Sequence, residues 1–302
     1  MLSEDILSFG KRSQIATNLS LGSDFTQVCN LAKRISFYNQ GIISVGDNHI
    51  VGLKVDGTVV TIGANSSNRL SVGDWEDIIA VSTSNTHTLG LNYYGYVDAV
   101  GDNTYGQIEV DKLHDIVSLL AGDYYTISLN RDGTVFINID DKFYTLTASE
   151  WKDIIAIASN KFSFAGIKTD GSVVTLLSDS LDHLDISGWE DIVQLAFVKS
   201  FIVGLKKDGT VISVGTDDDV RSELSNWENI VFIAANEGIT VGIKSDGSVE
   251  AIGLEVPDWR DIISVVVGPH FVVGLKTNGN VVSYGLNDNM EKSLSTWSLL
   301  DD

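Results

Sequence analysis

The chain has 302 residues, 43% of them hydrophobic, which is enough to bury a full core and excludes the disordered class. Its 20 Lys and Arg against 41 Asp and Glu leave a formal net charge of -21, a surface that repels a phosphate backbone and excludes nucleic acid as a partner. One cysteine, Cys29, rules out an internal disulfide or a thiolate cage, and no apolar run approaches the roughly 20 residues of a membrane helix.

The opening Met1-Leu2-Ser3-Glu4-Asp5 lacks the basic then apolar start of a secretion signal, so a soluble, cytoplasmic, monomeric protein is expected. Residues 1–12 carry no periodicity. Residues 15–29 resemble the stretch ending Ala121-Gly122-Asp123-Tyr124-Tyr125-Thr126 and read as a degraded pair of strands. The division is therefore an N-terminal segment, 1–36, and a body of repeats, 37–302.

From there a phrase of the form Gly-Leu-Lys-x-Asp-Gly-Thr-Val recurs, with its turn glycine at Gly57, Gly95, Gly133, Gly171, Gly209, Gly247 and Gly279. The spacing is 38 residues five times and 32 at the last step. About 20 residues ahead of these glycines stands Trp-x-Asp-Ile-Ile/Val, at Trp75, Trp151, Trp189, Trp227 (with Asn229 for Asp) and Trp259, with Leu113 in the place of Trp in one unit. Trp297 opens one more, truncated copy. Within a unit, Asp191–Ala196 and Phe201–Lys206 are short, apolar and β-branched, and read as strands a and b. Asp208-Gly209 predicts a two-residue turn with both residues at positive φ, and Thr210–Val214 returns as strand c.

A three-stranded unit of this length leaves sheet edges and an apolar face uncovered. Stacking the units face to face in a closed ring removes both liabilities, which predicts an all-β, seven-bladed β-propeller, or eight blades if the N-terminal segment adds a composite one. Each tryptophan would bury ~150–250 Å² between blades, worth ~4–6 kcal/mol as an upper figure. Trp75, Trp151, Trp189, Trp227, Trp259 and Trp297 are read as structural, with the turn glycines. Lys54, Lys168, Lys206, Lys244 and Lys276 beside the turns read as solvated edge charges.

Trp-x-Asp-Ile followed by Gly-Leu-Lys-x-Asp-Gly-Thr-Val and a further Gly resembles the repeat of the regulator of chromosome condensation family over roughly residues 40–297. Gly101-Asp102-Asn103-Thr104-Tyr105-Gly106-Gln107 also resembles that family's Gly-x-Asn-x-x-Gly-Gln. The resemblance implies a propeller that binds another protein through one face. The short repeat is more like bacterial members, among them proteinaceous β-lactamase inhibitors. The family's nucleotide-exchange factor works through an inserted wedge; no unit here carries one, and exchange is not expected.

Strand direction places the a–b loops and the segments after strand c on one face and the Asp-Gly turns on the other. The turns are near-invariant, whereas the a–b loops vary, as recognition on a rigid scaffold requires. The candidate contact residues on the variable face are Asn48, Asn85, Asp123, Tyr124, Lys161, Phe162, Lys199, Glu237 and His270, with Asn103, Tyr105, Asp217 and Asp218 from the segments after strand c. Aromatic anchors rimmed by charge have the composition of an interface hot spot. Asp140, Asp141, Asp179, Asp182, Asp217, Asp218, Asp219 and Asp288 bring acid to this face, so the expected partner is a protein with a basic patch. One position after the loop tip, His49, His87, Tyr125, Ser163, Phe201, Ile239 and Phe271 read as packing or intra-blade hydrogen-bonding residues.

Five histidines lie singly in different units, no acid run has calcium-loop spacing, and no phosphate loop or nucleophile elbow occurs. The reading is a non-catalytic binding protein with neither metal nor cofactor. A lectin-like or small-ligand propeller, and an inhibitor of a specific enzyme, are the alternatives.

Overall fold

A computed structural model describes residues 41–139, 142–145, 151–160, 163–178, 181, 184–199, 201–215 and 218–300. Lys161, Phe162, Asp217 and the N-terminal segment fall outside them. Seven antiparallel sheets follow one another along the chain: sheet one over 43–63, two over 78–101, three over 116–145, four over 154–176, five over 192–214, six over 230–252 and seven over 262–284. Each is built of consecutive strands a, b and c, and sheet three adds a fourth at its edge, Lys142–Thr145. The a strands touch those of both neighbouring sheets, and strand a of sheet seven meets strand a of sheet one. Among the described residues seven blades close the ring, with the a strands innermost, the last blade meeting the first directly.

The core is divided among the seams. Val51 and Leu53 of sheet one pack on Ile78 and Val81 of sheet two; around the ring, Phe271, Val273 and Leu275 of sheet seven pack on Ile43 and Ile50 of sheet one. The ring of each described tryptophan abuts a strand-b glycine, which for Trp75, Trp151, Trp189, Trp227 and Trp259 lies in the sheet that follows. A Cβ at Gly90 would sit 2.7 Å from the Trp75 ring, and one at Gly204 would sit 2.7 Å from Trp189. Trp297 makes the same contact with Gly52, where a Cβ would lie 2.6 Å from the ring, so the truncated last copy supplies the tryptophan of the first blade. Leu299 N donates to Gly279 O and Leu299 O accepts from Val55 N, tying the last blade to the first. In the unit where Leu113 replaces Trp, Ser128 replaces the glycine: a smaller knob leaves room for a side chain in the hole.

Two expectations are corrected. The turn is a three-residue loop closed by a bulge. Lys54 N donates to Thr58 O, Gly57 N donates to Lys54 O, and Gly57 alone takes positive φ, +85°. Asp56 keeps an ordinary φ because its carboxylate accepts from Thr58 N and Thr58 Oγ1, at 2.9 and 2.6 Å. Positive φ instead falls on the Asp of Trp-x-Asp, as at Asp77 (55°) and Asp191 (58°), a residue type that tolerates the left-handed region. That twist turns its carbonyl to the neighbouring turn, where Asp77 O accepts from Tyr93 N and Asp191 O from Lys207 N.

The acidic segments after strand c of sheets five and seven are helices α1 (Asp218–Ser225) and α2 (Asp288–Leu294). Val220 and Leu224 in one, Met290 and Leu294 in the other, repeat at i, i+4 and turn a buried leucine into the seam. Their aspartates occupy the first turn, where negative charge meets the free N–H groups of the helix.

Leu113→Trp should destabilise by ~1–3 kcal/mol, because the indole would meet Ser128, and Leu113→Trp with Ser128→Gly should recover most of that loss. Thermal melts followed by circular dichroism check this; equal melting of the single and double variants would contradict the knob-and-hole pairing.

Candidate functional site

The a–b loops and the segments after strand c are bonded together on one face. Ala64 N donates to Asn48 O and Asp102 N donates to Thr86 O, both within one blade. Between blades, Asp47 N donates to Asn85 Oδ1 at 2.7 Å, and Asn85 donates through N and Nδ2 to the Asp123 carboxylate at 3.0 and 3.3 Å. Three loops 38 residues apart are thus linked edge to edge, which fixes side chains that the sequence shows only as unlike.

Charge concentrates there. Burial raises the Asp47 carboxyl above the ordinary range, and the negative charges of Asp123 and then Glu237 push it further, while the Asn85 hydrogen bond and His270 oppose the shift. Charges on sheets three, six and seven thus act on the Asp47 carboxyl of sheet one. Glu237 holds positive φ, 51°, at the tip of its loop. Tyr124 packs edge-to-face on Tyr105 with ring centroids 5.1 Å apart, and both remain about 40% exposed, 42% and 41%. Asn48, Lys199, Glu237 and His270 are exposed on the same set of loops.

Other candidates have local duties. Asn103 Nδ2 donates to the Glu109 carboxylate at 2.7 Å and its Oδ1 accepts from Ile108 N, so its side chain braces its own loop. Asp218 pairs with Arg221 at 3.4 Å in the first turn of α1.

The histidine position bonds to the next blade through Nε2, and at His87 it also bonds within its own blade through Nδ1. His49 Nε2 lies in hydrogen-bonding contact with Thr83 Oγ1 and, at 3.3 Å, with Thr88 Oγ1 of sheet two. His87 Nε2 reaches Thr126 Oγ1 of sheet three at 3.1 Å. Since Thr126 Oγ1 donates its own proton to Gln107 O at 2.7 Å, the imidazole must donate through Nε2. Nδ1 then accepts, and Ser84 Oγ stands 3.1 Å from it. The ring is neutral by construction: burial lowers the His87 pKa to about 3 and the His49 pKa to about 4, the nearby Arg69 charge adding to the latter.

Arg69 is the residue that sequence reasoning missed. It is buried, donates through Nε to Ala64 O at 2.8 Å and through Nη1 to Asn85 O, and its own carbonyl accepts from Thr88 Oγ1. The signal was present in its position, 38 residues ahead of Gln107, whose carbonyl accepts from Thr126 Oγ1 in the same way.

The closed ring, the interlocked loops and the acidic, aromatic face define a seven-bladed β-propeller with one variable rim. No protein-family model matches the chain, and no curated protein sequence does. Among solved structures it is similar to the WD40 ectodomain of the Arabidopsis thaliana receptor kinase ACR4, with a TM-score of 0.66 and 18% identity over 82% of this chain and 95% of that one. The ectodomain of the Physcomitrella patens receptor kinase CR4 gives 0.66 and 15% over 83% and 76%. Prp20p from Saccharomyces cerevisiae gives 0.56 and 16% over 69% and 72%. At such identities the likeness is one of fold.

Unfolding frees both histidines to titrate near their ordinary pKa of ~6.5, so below that the unfolded chain binds more protons than the folded one. Their contribution to stability is complete above pH ~6.5 and is lost as pH falls toward the folded values, at ~1.4 kcal/mol per pKa unit. Melting temperatures should therefore drop between pH ~6.5 and ~4. The double variant His49→Asn, His87→Asn should melt lower at neutral pH and show a flatter profile.

Proposed function

We propose that this chain is a non-catalytic, protein-binding propeller of the regulator of chromosome condensation type, docking a partner with a basic patch through the face of its a–b loops. The observation that carries this reading is the hydrogen-bonded link from Asp47 through Asn85 to Asp123, which stands next in sequence to Tyr124 of the exposed Tyr105–Tyr124 pair, with the Glu237 charge acting on Asp47. Asp47 and Asp123, joined through Asn85 by backbone and amide hydrogen bonds, are held in place before binding, so less ordering cost is paid on contact. Aromatic rings at the edge of that field supply desolvated contact area, and the acid supplies steering and register.

The comparisons support the general mode. A structure of Prp20p is described with its binding to Gsp1p and histones, and yeast RCC1 (Prp20) has been seen bound to Kap60. Inhibition of a particular enzyme would be one instance of the same docking, with the enzyme as partner. The unlike loop tips speak against a lectin with equivalent sugar sites.

Capture of partners from the source organism's lysate should weaken as salt rises, and also as pH falls through the raised Asp47 pKa, since protonation removes charge facing the basic patch. Tyr124→Ala with His270→Ala should cost ~2 kcal/mol, about 30-fold in affinity, with an unchanged melt. Undiminished capture by that variant would remove this face from the account.

A further inference from the structure

The opposite face carries one turn that breaks the rule of the others. Five of the seven turns have Asp ahead of the glycine, and in four of these, at Asp56, Asp170, Asp208 and Asp246, the carboxylate accepts from the main chain and hydroxyl of the Thr or Ser two residues on. In sheet two the same stretch reads Asn92-Tyr93-Tyr94-Gly95-Tyr96. The backbone is unaltered: Gly95 has φ +84°, Asn92 N donates to Tyr96 O and Gly95 N to Asn92 O. Asn92 Oδ1 does the work of the lost Asp, accepting from Tyr94 N and Tyr96 N at 3.0 and 3.1 Å. The fold's demands are met by Asn92 and Gly95, and the three tyrosines answer none of them.

Their side chains stand in solvent, with Tyr93, Tyr94 and Tyr96 at 40, 65 and 57% exposure. Tyr93 and Tyr94 meet edge-to-face, centroids 5.5 Å apart, an arrangement that leaves both faces of one ring uncovered by the other. Backbone bonds seat the turn between two acidic stretches: Tyr93 N donates to Asp77 O, and Gly95 O accepts from Ile116 N, next to Asp115. Glu76, Asp77 and Asp115 are exposed; Arg131, whose N donates to Asp115 O, lies beyond them in the next turn.

From this we infer a second docking surface, on the face opposite the variable loops, in which Tyr93, Tyr94 and Tyr96 take an arginine side chain of another protein, its guanidinium stacked on the rings and its charge answered by the surrounding carboxylates. Planar, weakly hydrated guanidinium suits an aromatic face better than ammonium does, and the acidic border favours a cation over an apolar occupant. With one such surface on each face, the disc can hold two partners at once.

The test gives the turn back the chemistry of its siblings. Tyr93→Thr, Tyr94→Asp, Tyr96→Thr reproduces Thr169-Asp170-Gly171 followed by a hydroxyl residue, so the variant should melt at or above the wild-type temperature, and it is more acidic. A dye-labelled peptide with two arginines in a Gly-Ser background, followed by fluorescence anisotropy, should bind the wild type, and should bind the triple variant and a lysine-for-arginine peptide about tenfold or more weakly. Tyr124→Ala with His270→Ala should leave this binding unchanged. Equal or tighter binding by the triple variant would mean that charge alone attracts the peptide, and loss of binding in the Tyr124, His270 variant instead would locate it on the other face; either overturns the inference. So would no saturable binding to the wild type, or a wild-type dimer in sedimentation that the triple variant abolishes, which would make the occupant a second copy of the chain.

Discussion

The fold depends on the contact of a flat indole with a glycine that has no side chain to oppose it. A propeller blade needs a bulky residue at its seam to fill the wedge between sheets that fan outward, and the partner strand must then be bare at the point of contact, because a Cβ would stand within 3.0 Å of the ring in every described Trp–Gly pair. Everything else in a unit serves to deliver that indole. The left-handed Asp two residues on, Asn229 in the Trp227 unit, bends the chain into strand a, and its carbonyl locks the bend to the neighbouring turn. Leu113 and Ser128, which stand at these two positions in one unit, fit a constraint on the pair and not on either residue.

Because each seam has its own apolar cluster, the molecule resembles a ring of nearest-neighbour couplings more than a protein with a central core. Polar groups reinforce the same couplings near the axis. Ser44 Oγ accepts from Thr83 N, Ser82 Oγ from Ala121 N, and Gln194 exchanges two hydrogen bonds with the main chain of Ile233. The inter-blade histidines belong to this set. The variable loops thus stand on a frame that their own sequence does not have to maintain.

The repeat count, the ring and the roles of Trp and Gly were legible because they recur at a fixed phase. What recurrence does not reveal is which direction a polar side chain takes. The histidine position was read as packing or bonding within its blade; His87 does bond Ser84 there, but its second nitrogen reaches the next blade's threonine, which the sequence did not show. Asp before Gly suggested a turn with two positive φ values, and only the Asx hydrogen bond to Thr58 explains why Asp56 avoids one. The helices escaped notice because two apolar residues four apart are too faint a signal inside an acidic connector. On the candidate face, sequence supplied the unlike residues but not the link from Asp47 through Asn85 to Asp123, which exists only once the ring is closed.

The Asp-Gly turns have one more consequence, for chemical ageing. An aspartate followed by glycine ordinarily cyclises to a succinimide when the glycine nitrogen attacks the side-chain carboxyl, and Asn278-Gly279 would deamidate by the same route. Here Gly57 N is held by Lys54 O, Gly209 N by Lys206 O and Gly279 N by Lys276 O, while the Asp56, Asp208 and Asn278 side-chain oxygens are held by residues two further on. The hydrogen bonds that shape each turn also keep nucleophile and electrophile apart, so a sequence rich in labile dipeptides is protected for as long as it stays folded.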